Sequence, residues 1–409
     1  MIPLSLDEVV EVARGRLEAA PWAVEVTGLQ IDSRRVETGD LFVAVRGGLG
    51  FVEHALARGA AAALVPDDAH AALAAIAGRV RERSSARFVG ITGSMGKTST
   101  KDILAAICQP QLRTVAAERS YNAELGVPLT IGRVEQGTEL CILELAMRGF
   151  GQIAGLCAFA RPHVGVVTNV GPVHLEKVGD LAGVARAKGE LIAALPPGGV
   201  AVVPAGFAVE RDDLEVVRLG EDVTLRSFDP PVLETSLGTV EVGFTARHLA
   251  ANALAAIATA HALGLELPPR LEVEFSGWRN QELPLPGGGV LVNDAWNANP
   301  VSVRAALEHL AELAAGRRTV AILGEMAELG GYADEGHREV ARALEELGID
   351  EIVAIGPQAR AYGGRWFATR DEALPAIERL LRPGDCVLVK GARVLALERI
   401  AEALIAVKA

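Results

Sequence analysis

Short apolar runs suited to β-strands recur along this chain, separated by helical stretches. RFVGIT (87–92), ELCILEL (139–145), HVGVVTNV (163–170) and GVAVVP (199–204) form one series. VLVNDAW (290–296), TVAILGEM (319–326), EIVAIG (351–356) and DCVLVKG (385–391) form another. A strand that is apolar on both faces cannot border water, so each series predicts a parallel sheet covered by helices. KTSTKDILAAIC (97–108) and ARHLAANALAAIATAHALG (246–264) are the clearest helices, and 221–244, richer in turns and alternation, reads as a small antiparallel addition. Near the start, Ser5 with Glu8 makes a capping-box pattern before a short helix. DLFVAV (40–45) reads as a strand, and EHALARGAAAALV (53–65) as a helix running into another.

A chain of 409 residues has room for two to four domains. The polar stretch RVRERSSAR (79–87) and ELPLPGGG (282–289), with its prolines and glycines, read as boundaries. They divide the chain into 1–84, 85–281 and 282–409, an α/β protein of three domains. The last is Rossmann-like but lacks GxGxxG after its first strand, which argues against a dinucleotide. A net charge of −12 excludes general binding to nucleic acid or anionic membrane by bulk charge. No uncharged apolar run approaches the roughly 18 residues of a membrane span, and the N-terminus lacks a signal-peptide pattern, so a cytoplasmic location is expected. Cys108, Cys141, Cys157 and Cys386 show no metal spacing and read as reduced, buried thiols.

The chemistry is concentrated after the strand 87–92. Gly93-Ser94-Met95-Gly96-Lys97-Thr98 lies between a strand and a helix, with two residues between its glycines rather than the usual four. The plain alternative is a glycine turn with an ordinary lysine. Backbone amides at such a loop and helix N-terminus cradle phosphate. Lys97 is placed to neutralise the β- and γ-phosphates, and the Thr98 hydroxyl to hold Mg²⁺. Glu144, at a strand's C-terminal end, is a candidate for the nucleotide's metal. Asn169 and His174 follow in the loop after a strand, and Lys188 lies in the helical stretch RAKGELI (186–192). Of 40 basic residues only six are lysine, Lys97, Lys101, Lys177, Lys188, Lys390 and Lys408. Each raises the question of what an amine does that a guanidinium cannot.

GSMGKTST, the strand-end Glu144, TNVGPVHLE and AKGELI, in that order, resemble the Mur ligase family. These are ATP-dependent amide-forming enzymes that build the peptide stem of bacterial cell-wall precursors. The resemblance implies a small UDP-binding α/β domain, a central P-loop ATPase domain and a C-terminal Rossmann-like domain. It implies ATP on Gly93, Ser94, Met95, Gly96, Lys97, Thr98 and Ser99, with Asn122 and Asn252 also at the nucleotide. It implies a carbamylated Lys188, and Mg²⁺, at two sites, met by Thr98, Glu144, His174 and Lys188. Lys97, Lys188, His174, Glu144 and Arg279 become the catalytic set.

DAWNANP (294–300) is similar to the D-x-Y-N-A-N-P signature of those members that add D-Ala-D-Ala to UDP-N-acetylmuramoyl-tripeptide. The resemblance implies these substrates, an acyl-phosphate route and a monomer. It places Arg279, Asp294 and Asn297 at the nucleotide, and Ser33, Arg34, Asn169, Asn299 and Lys390 at substrate. Asn299-Pro300 is equally a good N-cap and N1 pair, so Asn299 also has a purely structural reading. The alternative is another Mur ligase or an enzyme like folylpolyglutamate synthase. Lys390-Gly391-Ala392-Arg393 replaces the usual Lys-Gly-Ser-Arg, losing a serine contact, and three further departures stand out. A DGHDF-like stretch is replaced by GGLGFVEH (47–54), the asparagine-rich motif keeps only Asn122, and the interdomain Gly-Arg motif becomes Gly277-Trp278-Arg279. Flexible hinges at 79–87 and 282–289 are expected to permit closure around the reactants.

Overall fold

The computed structural model describes residues 1–406, leaving Lys408 and its neighbours outside the described residues. The chain divides into two compact units. The first comprises Met1–Asn169, Ala185–Gly243 and Asn252–Val273; the second comprises Val170–Val184, Phe244–Ala251 and the chain from Glu274 onward.

In the first unit the capping box at Ser5 is complete: Ser5 accepts from the Glu8 amide, and Glu8 accepts from the Ser5 amide. A four-stranded mixed sheet runs in the order Gly15–Ala19, Ala62–Pro66, Asp40–Val43, Gly28–Gln30. The expected central sheet has six strands, all parallel: Glu215–Leu219, Val200–Pro204, Val164–Val167, Arg87–Thr92, Leu140–Glu144 and Thr114–Ala116. Leu140–Glu144 and Val164–Val167 are buried throughout and Arg87–Thr92 at all but Arg87, as doubly covered strands must be. The anticipated addition is a meander of Leu225–Asp229, Val232–Thr235 and Gly238–Val242, joined by Arg270–Leu271.

The second unit holds another six-stranded sheet, ordered Gln281–Pro284, Val290–Asp294, Cys386–Lys390, Thr319–Gly324, Glu351–Ile355, Arg365–Phe367. Only the first pair is antiparallel. One face packs on Leu307, Leu310, Val340 and Leu344, the other on Ile377, Ile400 and Leu404.

Neither expected hinge is a flexible linker. Residues 79–83 are the last turns of the helix Ala69–Arg83, and the strand Arg87–Thr92 begins after three further residues. Arg81 from this helix donates to the carbonyls of Ala160 and Arg161 at 3.0 and 2.9 Å and lies over the Phe88 ring. Residues 282–289 belong to a hairpin: Gln281–Pro284 pairs antiparallel with Val290–Asp294. Pro284 ends an edge strand, where a missing N–H costs no ladder bond. All four cysteines are unpaired and buried, and burial pushes the thiols of Cys108 and Cys157 up to about 12.

Candidate nucleotide site

The strand Arg87–Thr92 occupies the middle of the central sheet, and the helix Lys97–Cys108 begins directly after the glycine loop. Gly93 (φ 152°) and Gly96 (φ 75°) both adopt conformations that side chains disfavour. A β-carbon at Gly93 would also run into Thr168 Oγ1, and one at Gly96 into Asn252 Oδ1. The neighbouring strand end closes the loop from behind. Asn169 Oδ1 accepts from the Met95 amide at 3.0 Å, while Thr168 Oγ1 and Asn169 Nδ2 donate to the Met95 carbonyl at 2.6 and 3.1 Å. Asn169, expected at substrate, here shapes the loop. Asn252 lies against Gly96, where the helix Lys97–Cys108 begins.

Lys97 Nζ donates to the Gly93 carbonyl at 2.7 Å, folded back over the loop it serves. Thr98 Oγ1 donates to Glu144 Oε2 at 2.8 Å, and Asn122 Nδ2 donates to Glu144 Oε1 at 2.7 Å. Glu144 is fully buried. Thr98, Glu144 and Asn122, drawn from three separate segments, thus meet at one carboxylate. This donor set suits Mg²⁺ arriving with a nucleotide: hard oxygens, one carboxylate and one hydroxyl. Among the described residues no group of three or more His, Cys, Asp or Glu forms an all-protein cage. Mg²⁺ characteristically relies on phosphates and water for its remaining ligands.

Lys188 is 2% exposed. Burial, reinforced by the positive charge of Lys97, holds its ammonium well below the ordinary lysine range. Its surroundings therefore disfavour the ammonium form. Lys101 has a role that the residue-level reading left unassigned. Its buried Nζ donates to the carbonyls of Ala117 and Arg119 and pairs with Asp102 at 2.7 Å. The scarcity of lysine was the available signal for it.

The remaining expected residues fall elsewhere. Ser33 is buried, and Arg34 projects from the surface with its guanidinium folded onto Asp32. His174 belongs to the second unit, whereas Glu144 belongs to the first. His174 takes a left-handed conformation, and its Nδ1 lies 3.1 Å from Glu328 Oε2, a partner that sequence reading missed.

In the second unit, Asp294 and Lys390 are register partners on adjacent parallel strands. Lys390 is buried, pairs with Asp294 and donates to the Asn297 carbonyl at 3.0 Å. It braces the DAWNANP turn from within. Asn299 caps the helix Pro300–Ala314, accepting from the Ser302 amide at 2.9 Å. His248 sits nearby with its Nδ1 buried and without a hydrogen-bond partner. Burial lowers its pKa from 6.5 to about 4, with His309 and Lys390 adding to the effect and Asp294 opposing it. Trp278 and Trp296 stack, and Arg279 lies over the Trp296 ring.

A glycine loop and helix N-terminus, a lysine turned back on that loop, and a threonine paired to a buried strand-end carboxylate define a P-loop nucleotide-binding protein of the α/β class. Two family models match: "Mur ligase middle domain" over residues 91–260 and "Mur ligase, glutamate ligase domain" over 279–393. The UDP-N-acetylmuramoyl-tripeptide--D-alanyl-D-alanine ligase of Escherichia coli (strain K12) is 30% identical, with 99% of each chain covered. The crystal structure of MurF from Acinetobacter baumannii superposes with a TM-score of 0.84 at 28% identity, covering 98% of this chain and 99% of that one. MurF ligase from Thermotoga maritima, solved in complex with ADP, gives a TM-score of 0.77 at 25% identity, covering 93% and 97%. The chain belongs to the Mur ligase family.

Proposed function

We propose that this protein is the ATP-dependent ligase that joins D-Ala-D-Ala to UDP-N-acetylmuramoyl-tripeptide in the synthesis of peptidoglycan precursors. The observation that carries this reading is end-to-end similarity to ligases bearing that name, on a chain that retains the nucleotide loop. The DAWNANP turn favours it over another Mur ligase or a folylpolyglutamate-synthase-like enzyme.

ATP is cradled by the amides of Gly93–Thr98, with Asn252 beside the loop and Asn122 holding Glu144. The substrate carboxylate attacks the γ-phosphate, giving an acyl phosphate and ADP. Lys97 and Arg279 meet the negative charge that develops on the transferred group. The amine of D-Ala-D-Ala then attacks the acyl carbon, phosphate departs and the amide remains. Mg²⁺, when bound, neutralises phosphate charge and orients the oxygens; Thr98, Glu144, His174 and Lys188 are the residues to hold it.

Lys188 is suited to carbamylation. A neutral amine adds to CO₂, forming an N–C bond and releasing a proton, and the product is a carboxylate-like oxygen pair. The product also sets a negative group near Lys97, where a second ammonium is disfavoured. Lys188→Ala abolishes phosphate release, short-chain carboxylates restore part of it, and Lys188→Arg stays inactive. Full activity in the alanine variant overturns the assignment.

Asp294 and Asn297 serve the nucleotide, and Ser33, Arg34, Asn169, Asn299 and Lys390 the substrates, Lys390 and Asn169 by shaping loops. The working domains are 1–84, 85–281 and 282–409, in a cytoplasmic monomer. A coupled assay decides the activity. Phosphate release requiring both UDP-N-acetylmuramoyl-tripeptide and D-Ala-D-Ala supports it, whereas release with single amino acids in place of the dipeptide refutes it.

A further inference from the structure

Two tryptophans from separate sequence motifs meet in space. A tryptophan, Trp278, stands between Gly277 and Arg279, and another, Trp296, occupies the aromatic position of DAWNANP. Their rings stack with centroids 5.9 Å apart and planes 19° apart. The Arg279 guanidinium lies 5.4 Å from the centroid of Trp296. Arg393 lies 4.8 Å from Trp278 and 5.2 Å from Trp296, and its Nη1 pairs with Glu398 at 2.7 Å.

The backbone enforces the arrangement. The Trp296 amide donates to the Trp278 carbonyl at 3.2 Å, and the Asn280 amide to Asp294 Oδ1 at 3.3 Å. The Trp278 amide donates to Gln281 Oε1 at 2.8 Å. Trp278 (φ 62°) and Asn280 (φ 48°) both take left-handed conformations, so Arg279 is carried on a tight kink laid against the DAWNANP turn. An indole face bounds one side of the guanidinium and so narrows the orientations open to it.

We propose that Trp296, backed by Trp278, is a positioning residue that holds the Arg279 guanidinium for the anionic group it meets. The two tryptophans act as a coupled pair: the ring added at 278 supports the ring at 296. The inference deepens the reading of Arg279 as a phosphate contact and rests on it.

A double-mutant cycle tests it. Trp296→Leu lowers kcat about five- to thirty-fold, the range a lost cation–π contact allows, with KM for ATP changed less than about twofold. Trp296→Tyr, which keeps a ring face, recovers most of that loss. In an Arg279→Ala background, Trp296→Leu costs no more than about a further twofold. Multiplying losses in the double variant, or wild-type kcat in Trp296→Leu, overturns the proposal. Tryptophan emission provides a reading independent of ligation. Arg279→Ala shifts the emission of the otherwise wild-type protein but leaves that of Trp296→Leu unchanged, and an unshifted emission in the first case refutes the contact. If the wild type ligates no D-Ala-D-Ala while its emission still responds to Arg279→Ala, the proposed activity fails and the positioning contact stands.

Discussion

His248, whose Nδ1 is buried, shows how a single ring ties stability to pH. In the unfolded chain a histidine takes up its proton near 6.5, whereas burial holds His248 to about 4. Between those values the unfolded state binds more protons, so stability is complete above about 6.5 and is lost as pH falls towards 4. At about 1.4 kcal/mol per pKa unit, the loss amounts to about 2–3 kcal/mol. Because Nδ1 has no hydrogen-bond partner, a ring without nitrogens fits the site. His248→Phe therefore flattens the fall in urea midpoint between pH 7 and 4.5, and parallel profiles for variant and wild type contradict this. Residue placement was legible where a motif fixed its neighbours, as for Gly93, Lys97, Thr98 and Glu144, which the fold brings together. It was not legible for Trp278 and Trp296, or for His174 and Glu328, whose partners are far apart in sequence.

At the scale of elements, strong periodicity and clear caps were readable. The helix Lys97–Cys108 coincides with its sequence expectation, and the capping box at Ser5 is formed. The short strands Thr114–Ala116 and Arg365–Phe367 gave no pattern long enough to detect. The Gln281–Pro284 strand was hidden by its proline and the following glycines, which signal punctuation locally but here build an edge strand and its turn. Asn299 illustrates competition between two roles. Its Oδ1 is committed to the Ser302 amide, so Asn299→Ala lowers unfolding stability by about 1 kcal/mol, while Asn299→Asp retains the cap. Denaturant melts of the two variants check this. A stable alanine variant with raised KM for D-Ala-D-Ala instead assigns Asn299 to substrate.

At the scale of the whole molecule, strand–helix alternation identified the parallel sheets, but it could not reveal how rigidly neighbouring segments are joined. The helix Ala69–Arg83 buries Leu73, Ile76, Ala77 and Val80 and packs against the helices Gly126–Ile131 and Gln152–Ala160. Arg81 adds two hydrogen bonds to the end of the second of these. The helix Ala69–Arg83 thus ties residues 1–84 to the rest of the first unit. Removing them strips apolar cover from two helices and exposes a contiguous patch that promotes association. Residues 85–409 expressed alone are expected to elute as aggregates in size-exclusion chromatography, and a monodisperse, cooperatively melting fragment contradicts that.

The same unit is cross-braced closer to the nucleotide loop. Lys101, one turn into the helix that Lys97 begins, grips the carbonyls of Ala117 and Arg119, just before the segment bearing Asn122. Thr98 and Asn122 approach Glu144 from these two directions. The helix and the opposing loop are therefore tied twice, through the Lys101 ammonium and through the Glu144 carboxylate. Displacing either element would break a hydrogen bond to the one carboxylate that the two share, so a substitution in one is felt in the other.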